Sequence, residues 1–128
     1  MGDIEREMGS LKIDNDVLGT IAGTVAHQVP GVHRVVRGLV GGLAQLIRER
    51  PNAGIKVIVG EGEVRFELSV IVNYGVNIPE VTHEVQKQIR EQVQEMSGLK
   101  VSQVDVIVRG VYLAGKKDEE PGTEEGEI

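Results

Sequence analysis

The fold is decided by Val64-Arg65-Phe66-Glu67-Leu68-Ser69-Val70-Ile71-Val72-Asn73. Val64, Phe66, Leu68, Val70 and Val72 alternate with Arg65, Glu67, Ser69, Ile71 and Asn73 across ten positions. Period-two alternation of this length predicts a long strand with one face packed on a core and the other open. Upstream, Ile55, Val57 and Val59 alternate with Lys56 and Ile58, and Gly60-Glu61-Gly62-Glu63 turns the chain, which predicts a hairpin. Downstream, Asn77-Ile78-Pro79-Glu80 is a capping arrangement, with Asn77 as cap and Glu80 three residues later. Val81, Val85, Ile89, Val93 and Met96 then mark the buried stripe of a helix over about residues 78–96, and Gly98 stops it. Its outer face carries His83, Glu84, Gln86, Lys87, Arg90, Glu91, Gln94 and Glu95. Val104, Val106 and Val108, alternating with Asp105, Ile107 and Arg109, predict the last strand.

The N-terminal half repeats this arrangement. Leu11 and Ile13 alternate with Ser10 and Lys12, which predicts a short opening strand. Asp14 stands at an N-cap position, and Val17, Leu18, Ile21, Ala22, Val25 and Val29 follow at helical spacing, giving a helix over about residues 15–28. Gly19 and Gly23, and Ala22 and Ala26, are each four apart, a pattern that lets another backbone approach closely. Pro30-Gly31 ends the helix, and Val32, Val35 and Val36 predict a strand. The order is strand, helix, strand, two-strand hairpin, helix, strand. Two helix-to-strand units flanking a hairpin predict an α+β two-layer sandwich of β-α-β-β-β-α-β order. Its mixed, mainly antiparallel sheet carries two helices on one face, a relative of the ferredoxin-like fold.

The 128 residues fit a single domain, 40% apolar and 27% charged. We divide the chain into an N-terminal extension (1–8), one domain (9–115) and an acidic tail (116–128). The net charge is −6; the tail, with two Lys against six Asp or Glu, holds −4 of it and leaves −2 for the body. A segment this polar cannot offset its ordering entropy, so the tail is expected to be disordered. The absence of Cys excludes disulfides, zinc-thiolate sites and thiol nucleophiles. Phe66, Tyr74 and Tyr112 are the only aromatics, which speaks against base-stacking platforms and ring-walled cofactor pockets. No run of 18 apolar residues occurs, so no transmembrane segment is expected, and the acidic N-terminus is unlike a signal peptide; the expected location is cytoplasmic.

Reactive constellations are missing. His27, His33 and His83 share no helical ligand spacing and no HExxH occurs, so neither a metal nor a cofactor is expected. No GxSxG surrounds Ser10, Ser69, Ser97 or Ser102, and the carboxylates lie on helix surfaces, turns and the tail. The chain is expected not to be an enzyme. Gly38-Leu39-Val40-Gly41 is formally a GxxG, the loop that clamps nucleotide backbones in KH domains, but its middle residues are apolar where such loops carry polar or basic ones.

Two surface features remain. If the valines and Phe66 face the helices, strand alternation turns Ile58, Ile71 and Ile107 to the open face. There they would form an apolar patch among Lys56, Arg65, Glu67, Asp105 and Arg109, an interface for self-association or a docked partner. Arg34, Arg37, Arg48, Arg50 and Lys56 form a basic patch against Glu49 alone, either a solvated face or a contact with anionic lipid.

Ile13, Val17-Leu18, Ile21-Ala22 and Val29-Pro30-Gly31-Val32 together resemble the first half of the alkaline shock protein family of bacterial envelope-stress proteins. The segment Val72-Asn73-Tyr74-Gly75-Val76-Asn77-Ile78-Pro79 resembles its second half, with Val81, Val85-Gln86, Val93, Met96-Ser97-Gly98-Leu99 and Val104-Asp105-Val106-Ile107-Val108. The likeness covers about residues 9–111. It implies a cytoplasmic, non-enzymatic, stress-associated protein that self-assembles and lies at the inner membrane face through a separate membrane-anchored partner. It carries no catalytic residues. The competing expectations are a small KH-like nucleic-acid-binding module, although the acidic chain gives no strong nucleic-acid signal, and a small-molecule sensor domain.

Overall fold

The computed structural model describes residues 8–36 and 54–115, and the elements follow from local chemistry. Helix α1 (Asn15–Gln28) begins where the Asp14 carbonyl takes the N–H groups of Val17 and Leu18; the Asp14 carboxylate makes no cap bond. Strand β1 (Val32–Val36) follows the Pro30-Gly31 turn. Strands β2 (Ile55–Val59) and β3 (Glu63–Asn73) form the hairpin. Helix α2 (Ile78–Ser97) is capped by Asn77, whose side chain accepts the Glu80 N–H at 3.0 Å, and is closed by Gly98 in the left-handed region at φ +79°. Strand β4 (Lys100–Tyr112) is twice the expected length.

Residues 9–14 form no strand, so the expected opening strand is corrected. The Leu11/Ile13 alternation is too short to reach a neighbour: Ile13 packs against the core and Leu11 stays 67% exposed. The two-layer arrangement stands without that strand.

Among the described residues all strand pairing runs through β3. One edge of β3 is shared end to end, with β2 antiparallel along residues 64–68 and β1 antiparallel along 69–72. The other edge pairs with β4, in parallel, over the whole length of β3. A parallel return needs a crossover of a dozen or more residues, and α2 supplies 20. Both helices therefore lie on one face of a mixed sheet. There Val64, Phe66, Leu68, Val70 and Val72 of β3 join Leu18, Ala22, Val25 and Ala26 of α1 and Val85, Ile89 and Val93 of α2 in one core. Val57, Val106 and Val108 pack against its edge, as alternation required.

Gly19 and Gly23 are buried in α1, which packs on α2, β1 and β2. At Gly31, φ is +101° and a Cβ would fall 2.7 Å from a methyl of Val81, so glycine is needed there both for its backbone and for the closeness of α2.

Candidate functional site

With the helix face filled by the core, the face opposite is the place to look for a site, and strand register fixes its layout. Partners across a ladder share a face, so the open face reads as successive rows across the sheet. The first row is Ile58, Arg65 and Gln103; the second is Lys56, Glu67 and Asp105. Then come Val36, Ser69 and Ile107, and next Arg34, Ile71 and Gly110. At the far end the rings of His33 and Tyr112 stack with centroids 3.9 Å apart and an interplanar angle of 3°.

This layout divides the expected apolar patch. Ile58, 40% exposed, is separated from Ile107 by the charged row Lys56, Glu67 and Asp105. Ile107 is half-buried beside Ser69. Ile71 is only 2% exposed, so it is not available at the surface. With Val36 and Ser69 it makes a second buried group on this face, outside the helix-side core. Arg109 reaches across and donates from Nε to the Ser69 hydroxyl at 2.8 Å. Arg65 is exposed in the end row.

Of the basic patch, Arg34 and Lys56 lie on this face, four β3 residues apart in register, or about 13 Å at the rise of an extended strand. Arg37, Arg48 and Arg50, the GxxG segment and the acidic tail lie outside the described residues.

The histidines are dispersed. His27 Nδ1 sits 3.0 Å from the Gly23 carbonyl and Nε2 3.4 Å from the Val35 N–H. A carbonyl only accepts and an N–H only donates, so these contacts pair Nδ1 as donor with Nε2 as acceptor, and the ring ties the end of α1 to β1. His83 is exposed on α2. Among the described residues no three His, Cys, Asp or Glu side chains could hold a metal ion, and no buried side-chain nitrogen or oxygen is without a partner.

The side of β4 away from β3 carries the feature that sequence reading missed. Gln86 Nε2 donates to the Val104 carbonyl at 3.0 Å, Arg90 Nε to the Val101 carbonyl at 3.5 Å, and the Val101 N–H donates to Gln94 Oε1 at 3.0 Å. Three α2 side chains at i, i+4 and i+8 thus occupy the first part of the free edge of β4. Beside them lies a polar cleft of about 480 Å³ between α2 and β4, with His83, Lys87 and Asp105 on its walls. The spacing of Gln86, Arg90 and Gln94 was legible, but it reads as a solvated helix face until the parallel crossover brings α2 alongside β4.

Among the described residues no helix is long and apolar enough to cross a membrane. The chain is 29% identical over 114 residues to YloU of Bacillus subtilis, an uncharacterized protein, covering 87% of this chain and 95% of that one. It is 25% identical over 116 residues to YqhY of the same organism, covering 90% and 86%. It is 28% identical over 102 residues to a stress response regulator gls24 homolog of Streptococcus pyogenes, covering 78% of this chain and 57% of that one. Among solved structures, the MamM CTD gives a TM-score of 0.47 at 12% identity, covering 74% of this chain and 96% of that one. A family model matches residues 3–113. Over that span the chain belongs to the alkaline shock protein 23 family, whose described role is a cell envelope-related function.

Proposed function

We propose that this chain is a non-enzymatic, envelope-stress-associated protein that acts by self-association and by docking to a membrane-anchored partner at the cytoplasmic face of the membrane. One observation carries the reading. Apolar side chains stay exposed on the strands: Ile58 at 40% on the open face, and Val59 and Val111 at 43% and 51% near strand ends on the helix side. Exposed apolar side chains on strands fit a contact surface better than a reaction site. Family membership and the stress-response name of the streptococcal relative agree with it. Arg34 and Lys56 add positive charge to the open face, which also carries Ile58, and an anionic lipid surface would lie there if the partner holds the protein close to the membrane.

Light scattering across a range of concentrations tests the first half. The expected mass is a multiple of the 13.9 kDa chain, and a single-chain mass throughout would remove self-association. Flotation with vesicles of anionic lipid at low and high salt tests the contact with lipid. Binding lost at high salt is expected, and no binding at low salt removes that part.

A further inference from the structure

We propose that residues 105–109 of β4 pair with the same residues of a second copy of this chain, antiparallel and centred on Ile107. This rests on the reading that the chain self-associates, and it names the contact.

A strand at the edge of a sheet presents unpaired N–H and C=O groups, and folded proteins normally cover or distort such an edge. Both devices are present on β4, and they leave one window. Below it, Gln86, Arg90 and Gln94 occupy the carbonyl of Val104 and both the N–H and the carbonyl of Val101. At its far end, the register with β3 slips between Val70/Val108 and Ile71/Gly110, so residue 109 is extra and the strand bulges there. Backbone groups alternate in direction along a strand. Because Val101 and Val104 point away from β3, Val106 and Val108 do as well, and their side chains pack on the helix side. Among the described residues no other hydrogen bond reaches the outward groups of Val106 or Val108.

The open window is five residues long and its midpoint is Ile107. A two-fold axis at Ile107 sets Val106 opposite Val108 of the second copy, with both pairs of outward groups facing each other. Ile107 then meets itself as a non-hydrogen-bonded pair, the closer type of antiparallel pair. The next rung sets Asp105 opposite Arg109 of the second copy, twice. Opposite charges directly across a ladder are favourable and like charges are not. Only this centre makes the contact isologous and charge-matched while keeping the hydrogen-bonded rungs, Val106 and Val108, clear of the α2 side chains and short of the bulged residue 109. A strand from an unrelated partner would have no reason to match a window symmetric about Ile107.

The chain has no Cys, so engineered cysteines report without background. In a non-hydrogen-bonded pair the Cα atoms are about 4.5 Å apart, within the span of a disulfide. Full-length Ile107→Cys, mildly oxidised, is expected to run mostly as a covalent dimer, while Ile58→Cys on the open face stays single. Charge reversal gives an independent readout. Asp105→Arg should weaken self-association at least tenfold, and Asp105→Arg with Arg109→Asp should restore it, because the double variant rebuilds the pair in reverse. Circular dichroism checks that each variant is folded. An assembled wild-type protein whose Ile107→Cys form does not cross-link, or whose double reversal is no better than the single, overturns the strand contact and leaves self-association standing. A single-chain mass for the wild type, with no cross-link, removes both.

Discussion

The two faces of the sheet obey the same alternation and differ in what alternation can tell. On the helix face, parity was sufficient. Val64, Phe66, Leu68, Val70 and Val72 are all 1% exposed or less, and they share one core with the buried stripes of α1 and α2, because two amphipathic helices have nowhere else to bury them. On the open face, parity named the right residues and the wrong environment. Ile58, Ile71 and Ile107 are all there, yet one is exposed, one half-buried and one buried. Parity assigns a face; register assigns neighbours, and only neighbours decide exposure.

The largest effect that would test this contrast is Phe66→Ala. Among the described residues Phe66 is the largest fully buried side chain, and it lies in β3 on the helix face. Its truncation should cost about 3–5 kcal/mol by urea unfolding. Ile71→Ala is the sharper variant. If the open face were bare there, the cost would stay near about 0.5 kcal/mol. At 2% exposure the expected cost is instead about 2–4 kcal/mol. A near-neutral result would restore the open patch. The same burial makes Ile71→Lys a poor probe of association, since a lysine at that position attacks folding first.

How much of this was legible follows from the range of each interaction. Helices α1 and α2 could be read to within a residue or so because caps, stops and apolar stripes are local: Asn77 with Glu80, Gly98, and Pro30-Gly31 act within a turn of chain. The hairpin was legible for the same reason. The opening strand at Leu11 and Ile13 was misread because a strand exists only where a neighbour pairs with it, and nothing in four alternating residues supplies one. The length of β4 was underestimated because Lys100, Ser102 and Gln103 break alternation at a bulge, which only pairing with β3 explains; there the Ser102 hydroxyl reaches the Val64 carbonyl at 3.4 Å. The role of Gln86, Arg90 and Gln94 was hidden for a related reason. Their partners are backbone groups, which have no signature in a sequence.

Gly31→Ala joins the two regions at intermediate magnitude. The residue sits between α1 and β1, its carbonyl accepts the Asn73 N–H at 2.9 Å, and its missing side chain makes room for Val81. Alanine there meets both an unfavourable φ and a stiff β-branched neighbour, so a loss of about 1–3 kcal/mol is expected. The companion variant Val81→Ala with Gly31→Ala separates the two causes. Partial rescue by the pair assigns the cost to crowding; no rescue assigns it to the backbone.

The smallest effect is the most informative about contact surfaces. Ile58 lies on the open face in the row with Arg65 and Gln103, and the charged row next to it isolates it from Ile107. Ile58→Ser should change stability by no more than about 1 kcal/mol, because the side chain is already 40% exposed. It should also leave the solution mass unchanged, since the strand contact through residues 105–109 uses the edge of β4 and not this face. A variant that stays folded but loses mass would place the interface on the face after all. In that case the edge of β4 would need another explanation for why α2 and the bulge leave its middle uncovered.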